Sequence, residues 1–326
     1  MKLIGLKDLP DNFRVGLEED FREELFRKSI EKIGEVKELA KILKCCENTI
    51  LNLRKGASFI KASILKELSK ITQTSFEKIE LHINELKTRN KKRRIKVKFP
   101  IYASKELASL VGHCIGDGSL TNRQFSYFNT CKQLVDEVKN EVNIAFSTNI
   151  IPTEFEKDRG LEIEFPTSIA RLLLLAGAPI GNKLLNEIRV PNWIIEGSKE
   201  IKVAFIKALF DDEGWIKIKW NRRSKNTQRL IGINMAKKET LLKGHERFLE
   251  DVRKLLMEFK IKPSKISNMG KTKNGISLGF TISNFQNLEN YFKTINFSHP
   301  SKEQKLLKSL TSYKNFNFKF EKNKYI

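Results

Sequence analysis

Cysteine is scarce in this 326-residue chain, and the four present, Cys45, Cys46, Cys114 and Cys131, show no C-x-x-C spacing. That excludes a cysteine-built zinc module; Cys45 and Cys46 are also poorly placed to close a disulfide on each other, so reduced thiols are expected. Long apolar runs are missing too. The longest, around Leu172 to Ile180, falls well short of the ~18 residues of a membrane helix, and the opening MKLIGLKDLPDNF is too short in apolar residues for a secretory signal. The expected location is therefore intracellular, cytoplasmic or nucleoid-associated, with no membrane partner. Acidic residues are in deficit: 39 Asp and Glu stand against 61 Lys and Arg, giving a formal net charge of +22 and a pI near 9.7. Such an excess points to a polyanion as partner, because each Lys or Arg that neutralises a phosphate releases a counterion. Apolar residues make up 40% of the chain, enough to core the two or three domains that this length implies.

The first ninety-odd residues have a helical period. In EVKELAKILK (35 to 44), Val36, Leu39, Ala40 and Leu43 share one face; after CCE, NTILNLRKG (48 to 56) aligns Ile50 and Leu53, and IKASILKELSKIT follows. Asn48 suits an N-cap and Gly56 a stop. This resembles the helix-turn-helix of phage repressors, which would place the second helix in a major groove with Asn48, Thr49, Asn52, Arg54 and Lys55 toward double-stranded DNA. Residues 1 to 86 thus read as an all-α DNA-binding domain. KTRNKKRRIKVK (87 to 98) carries eight basic side chains and no acidic one; it reads as a linker whose Lys91, Lys92, Arg93 and Arg94 track phosphates.

Past the linker the pattern becomes α+β and it repeats. WIKIKW (215 to 220), a polar turn and RLIGINMA make a hairpin, and SLTNRQFSYFNT stands in the same place earlier. Each hairpin leads to a long amphipathic helix, a second strand pair (about 152 to 165 and 264 to 282) and a further helix, SIARLLLLAG or NFQNLENYFKTI. The order αββαββα occurs twice, over residues 99 to 195 and 196 to 326.

The opening helices of the two copies, LVGHCIGDG and IKALFDDEG, align when 96 is added to the first (117 + 96 = 213). Ala108, Gly112 and Gly116 then match Ala204, Ala208 and Asp212, a spacing that lines small residues along one helical face and allows two helices to meet closely. Ser104 and Ser198 are N-cap candidates, and Gly118 and Gly214 suit the left-handed position that ends a helix. Pairing about a pseudo-twofold axis would bring Asp117 and Glu213 together at two negative helix ends. Two such carboxylates repel unless a cation lies between them, and hard oxygen donors of this kind suit Mg²⁺.

These two nonamers, each opening an αββαββα unit, resemble the paired signature motifs of single-chain LAGLIDADG homing endonucleases over about residues 99 to 312. The resemblance implies a monomer with internal pseudo-twofold symmetry, a saddle of two antiparallel sheets astride DNA, and hydrolysis of both strands of a long site to leave short 3′ overhangs. It makes Asp117 and Glu213 the Mg²⁺ ligands, with Mn²⁺ as a substitute, and gives the metal the main-chain carbonyls of Gly116 and Asp212. Asp211 becomes structural, its counterpart being Ile115. A basic group at the end of the first hairpin would be Lys237 in the second half; Thr130 holds that place in the first half, and Lys132 follows two residues on.

Outward strand and turn positions suited to base edges and phosphates are Thr121, Arg123, Gln124, Lys217, Lys219, Arg222, Arg223, Lys225, Gln228 and Arg229. Glu162 and Glu164 in LEIEF oppose DNA contact, which places that strand at the rim. Trp215 and Trp220 read as packing aromatics and His113 as a core histidine. Two alternatives share the fold: a DNA-binding transcription regulator without hydrolysis, which loss of either acid would have favoured, and a maturase acting on intron RNA. An intein is disfavoured by a start at Met1 without a splicing Cys or Ser and by the KNKYI ending.

Overall fold

The computed structural model describes residues 1–87, 94–222, 225–273 and 275–313. Lys91, Lys92, Arg93 and Arg223 lie outside them.

The N-terminal region runs β1 (Lys2–Ile4), β2 (Arg14–Leu17), α1 (Glu19–Ile33), α2 (Val36–Ile42), α3 (Glu47–Arg54), β3 (Ile60–Lys61), α4 (Ala62–Thr72), α5 (Phe76–Leu81), β4 (Ile83–Lys87) and β5 (Ile95–Lys96). The expectation of an all-α domain is therefore corrected: β3-β2-β4-β5 form a four-stranded antiparallel sheet beneath the helices. Its strands hold two to five residues, too few to show a period-2 pattern. Lys96, assigned to the linker, pairs with Glu85 in this sheet. Leu39, Ala40, Leu43, Ile50 and Leu53 are buried where α2 meets α3. The chain leaves α2 through Lys44 at φ 52, with the Cys45 N–H returning to the Ala40 carbonyl at 2.9 Å, a left-handed helix stop. Helix α3 starts two residues early: Cys46, not Asn48, holds the N-cap position, while Gly56, at φ 73, follows the helix end as expected.

The first repeat follows as β6 (Ile101–Tyr102), which pairs with β1, then α6 (Lys105–Ile115), β7 (Gly118–Leu120), β8 (Gln124–Asn129), α7 (Lys132–Ala145), β9 (Thr153–Lys157), β10 (Gly160–Pro166) and α8 (Thr167–Leu175). A short α9 (Asn192–Ile195) leads into the second: α10 (Lys199–Glu213), β11 (Gly214–Asn221), β12 (Asn226–Lys237), α11 (Leu242–Glu258), β13 (Ser267–Thr272), β14 (Gly275–Ser283) and α12 (Phe285–Thr294), with α13 (Pro300–Thr311) after it. The fold is α+β, and the doubled αββαββα order is as the sequence predicts. The sheets share one strand order, β7-β8-β10-β9 and β11-β12-β14-β13, antiparallel throughout.

Helix α6 is buried on every side from Leu107 to Ile115, which makes it the central element. It packs along α10 on the two rows of small residues. A Cβ on Gly112 would stand 2.8 Å from the Phe205 carbonyl oxygen and 2.9 Å from the Ala208 Cβ, so main chain meets main chain there. Ser104 caps α6 by accepting from the Leu107 N–H at 3.1 Å; Ser198 occupies the N-cap of α10 without such a bond. Gly118 and Gly214 are not left-handed: Gly214 has φ −78 and ψ 153, and each opens a strand. Glycine is needed because a Cβ would stand 2.7 Å from the His113 carbonyl oxygen at Gly118, and 2.5 Å from that of Phe210 at Gly214.

Gly112→Ala is expected to destabilise the protein by about 1–3 kcal/mol, the usual cost of overpacking a tight contact. A lowered urea midpoint at unchanged slope would show it; an unchanged midpoint would mean the helices can part freely.

Candidate active site at the paired helix ends

Packing of α6 on α10 carries Asp117 and Glu213 to the same end of the helix pair. The Asp117 carboxyl is raised to about 6, mainly because its surroundings strip water from it although the residue itself is accessible, and next because of the Asp212 charge. Glu213 is pushed up to about 7, first by burial and then by the charges of Asp117 and Asp212, against the lowering effect of Lys183. The Asp117 charge thus acts on Glu213, while the negative charge that acts most on Asp117 is that of Asp212.

Around them lies a hydrogen-bond network drawn largely from the first repeat. The Asp212 side chain is fully buried and accepts from Tyr127 Oη at 2.8 Å, from the Asp117 N–H at 3.1 Å, and from His113 Nδ1 at 2.9 Å. Burial disfavours a charged His113, but the Asp212 carboxylate outweighs it and lifts the imidazole to about 9. His113 is thus a core histidine, as predicted, and also half of a buried ion pair. Asn129 Nδ2 donates to Asp117 Oδ2 at 3.0 Å and to Tyr127 Oη at 3.1 Å; its Oδ1 accepts from the Cys131 N–H at 2.8 Å, which fixes which way the amide points. Asp211 is buried and accepts from the Ser298 and His299 N–H groups, both at 3.0 Å, a structural role in keeping with its reading.

Two lysines not singled out in the sequence complete the site. Lys183 Nζ bonds the carbonyl of Gly116 and, at 2.9 Å, that of Gly118. Lys302 Nζ bonds the carbonyls of Phe210 at 3.1 Å, Asp211 and, at 3.4 Å, Asp212. Each ammonium thus sits at the negative end of one motif helix, where cations are favoured. Lys183 stands eight residues beyond Leu175, where α8 ends, and Lys302 eight beyond Thr294, where α12 ends (183 − 175 = 302 − 294 = 8). That shared spacing was the available signal.

Lys237 has different company from that expected. Its Nζ is buried and bonds the main-chain carbonyls of Lys183 and, at 2.8 Å, Asn186, so it braces the loop that presents Lys183. Burial, and next the Lys183 charge, lower it to about 8. Lys183, Lys237, Glu213, Gly118 and Asn234 line one hollow of about 380 Å³. By sheet register Lys237 matches Cys131 rather than Thr130, since Gly118 pairs with Tyr127 and Gly214 with Ile233. Lys132 is exposed at the start of α7, in a separate hollow with Thr130, Glu154, Glu156 and Lys157.

The carboxylates of Asp117 and Glu213 are hard oxygen donors of the kind a divalent ion takes, and Lys183 and Lys302 already offset part of their charge. Among the described residues no cluster of three or more His, Cys, Asp or Glu is arranged to hold a metal, so water and phosphate oxygens would have to supply the remaining positions. The carbonyls of Gly116 and Asp212, expected as metal ligands, are instead bonded to Lys183 and Lys302.

The helices cover one face of each sheet, and the other faces are open. On the second sheet Lys217, Lys219 and Gln228 are exposed on the open face, with Trp215 lying over Gly232 and donating to Asn234 at 2.6 Å. Arg229 is on the opposite face. It bonds Ser312 at 2.6 Å and sits 4.2 Å from the Tyr313 ring centroid, which corrects its place among the DNA contacts. Trp220 is 57% exposed and is not the packing residue expected. Arg222 and Lys225 lie exposed in the hairpin turn. On the first sheet Thr121 and Arg123 are exposed, but the Thr121 hydroxyl is held by the turn. Glu162 and Glu164 are not at a rim: β10 is an internal strand and both face the open side, Glu164 taking a bond from Gln124 at 2.7 Å and Glu162 lying 3.3 Å from Lys157. In the N-terminal region Asn48, Asn52 and Lys55 are exposed along α3, Thr49 and Arg54 half-buried, and Arg94 lies 3.6 Å from Glu85. No helix among the described residues is long and apolar enough to cross a membrane.

Residues 200–296 match the model of the LAGLIDADG-like domain. Among curated proteins the chain is similar to glutamine–fructose-6-phosphate aminotransferase of Methanocaldococcus jannaschii, with 26% identity over 97% of this chain and 27% of that protein. It is also similar to the replication factor C small subunit of the same organism (35% identity, 51% of this chain, 10% of that one) and to the tRNA-splicing ligase RtcB of Pyrococcus abyssi (28%, 61% and 23%). The chain thus spans little more than a quarter, or less, of the length of these relatives. Among solved structures it is similar to full-length WhiA from Thermatoga maritima (17% identity, 68% of this chain and 65% of that one, TM-score 0.41) and to the homing endonuclease I-DmoI in complex with DNA and Mn (15%, 60% and 97%, TM-score 0.39).

Lys183→Met is expected to move the carboxyl titrations of Glu213 and Asp117 upward, because the Lys183 charge lowers both. Carbon-detected NMR of the side-chain carboxyls reads this directly, and unmoved titrations would place the ammonium elsewhere in solution.

Proposed function

We propose that the protein is a site-specific DNA endonuclease that hydrolyses phosphodiesters in both strands with a divalent metal, Mg²⁺ in the first instance, and leaves short 3′ overhangs. The observation that carries this reading is the convergence of Asp117 and Glu213 at the ends of α6 and α10, each raised by burial and by neighbouring negative charge. Carboxylates held against their own repulsion are costly to a fold, and a cation relieves the cost. Asp117 and Glu213 would hold the metal, which when bound supplies Lewis acidity and an activated water. Lys183 and Lys302 would keep positive charge beside the scissile phosphates, while Lys237 keeps Lys183 in place. Lys132 is left to a phosphate outside the centre.

The exposed Lys217, Lys219, Arg222, Lys225 and Gln228, with Thr121 and Arg123, suit the duplex, and α3 would add a second contact through Asn48, Asn52 and Lys55 in the manner of a helix-turn-helix. The match to relatives with unrelated names, each over a limited part of its length, supports reading the shared segment as a transferable module rather than as part of their own activities.

A second reading, DNA binding without cleavage, is favoured by one feature: Lys183 and Lys302 already place cations at both helix ends. Selection of cleaved and of bound sites from a random duplex library, in Mg²⁺ and in Ca²⁺, separates the two. On the selected site, Asp117→Asn and Glu213→Gln should each reduce cleavage by at least ~100-fold, in line with loss of electrostatic stabilisation at a reacting centre, with binding little changed. Equal cutting by the variants, or bound but uncut sites in Mg²⁺, would favour the second reading. Because both acids are protonated below pH 6 to 7, metal affinity should fall as pH drops through that range.

Lys55→Ala is expected to weaken binding of that site and to reduce the slope of log affinity against log salt by about one. An unchanged slope would show that α3 contacts no phosphate through Lys55.

A further inference from the structure

The two halves of the site are not equivalent, and the difference centres on Asp212. Along α10 the row of small residues runs Ala204, Ala208 and then breaks at Asp212, whose counterpart on α6 is Gly116. The side chain does not enter the cleft. It is fully buried and fills the space over Gly116, where a Cβ would stand 2.4 Å from the Asp212 Cβ. From there its carboxylate reaches across to the first repeat and accepts three hydrogen bonds, all from that repeat: His113, Tyr127 and the Asp117 N–H. Tyr127 in turn accepts from Asn129, and Asn129 donates to the Asp117 carboxylate. Asp117 is therefore held at both its main chain and its side chain by a closed ring of bonds that passes through Asp212.

Glu213 has no such ring. The motif register matches His113 to Leu209 (113 + 96 = 209) and Asp212 to Gly116. The sheet register matches Tyr127 to Ile233 and so Asn129 to Met235. Where the first repeat has three polar donors the second has three apolar side chains, and Gly116 has no side chain to reach across. Among the described residues no side-chain hydrogen bond to Glu213 is present, and Glu213 has one more rotatable bond than Asp117.

We propose that Asp212 is a positioning residue for Asp117 alone, and that the protein therefore has one pre-organised acid and one that must be ordered on binding. Resting on the endonuclease reading, this deepens it: the ring around Asp212 makes the cut that depends most on Asp117 the faster of the two. Preorganisation is what gives the held acid its advantage.

Two variants test it, with one readout that needs no cleavage. Asp212→Ala removes the hub; Tyr127→Phe keeps the aromatic packing and removes one bond to Asp212 together with the one accepted from Asn129, and stands in should the first variant not fold. Amide hydrogen exchange at Asp117 should speed up by about tenfold or more in Asp212→Ala and by less in Tyr127→Phe, as expected for loss of a local protecting bond. On duplex labelled separately on each strand, wild type should show a nicked intermediate, and both variants should slow the first cut several-fold more than the second. Unchanged Asp117 exchange in a folded variant, or equal slowing of both cuts, would overturn the proposal. A wild-type protein that binds its selected duplex and cuts neither strand would instead end the endonuclease reading, and the exchange measurement would still decide whether Asp212 holds Asp117.

Discussion

The close approach of α6 and α10 is the constraint on which the rest depends. Gly112 against the main chain of Phe205, and Gly116 under the Asp212 side chain, leave no room for other residues, so the two helices end side by side. Everything notable about the site follows from that ending. Two acids share a small region and are hard to ionise, two lysines are drawn to the helix termini, and the sheet of each repeat starts at a glycine tucked under the helix that precedes it. A looser pair would gain room for side chains and lose the convergence of charge.

The charge arrangement is graded. Asp212 is already satisfied, with three donors on its carboxylate and His113 held charged beside it. Asp117 is partly satisfied by Asn129, and Glu213 has only the field of Lys183 and Lys302 to favour its ionised form. On the endonuclease reading proposed above, an added cation would enter at the accessible end of this graded site, away from the buried Asp212. Asp212 accordingly belongs to the framework that aims Asp117, and the first repeat contributes most of that framework.

Much of this was legible in the sequence because it is written twice. The 96-residue register aligned Asp117 with Glu213 and the small-residue rows with each other, and the αββαββα order came from alternation that persists over whole elements. What was missed depends on short or distant features. Strands of two residues, such as Ile60–Lys61 and Ile95–Lys96, carry no period. Gly118 and Gly214 were correctly weighted but for the wrong reason, since close packing rather than a left-handed turn requires them. Lys183 and Lys302 act from loops and a helix far along the chain, and only the sheet register reveals that Arg229 faces the helices and Glu162 the open side.

The most direct test of the shared site compares the side-chain carboxyl titration of Glu213 in wild type and in Asp117→Asn, without metal or DNA. If the two acids converge, removal of the Asp117 charge must bring the Glu213 titration down from about 7, because that charge raises it. A Glu213 titration that stays where it was would mean that the two carboxylates do not share a site, and the account built on their convergence would fail.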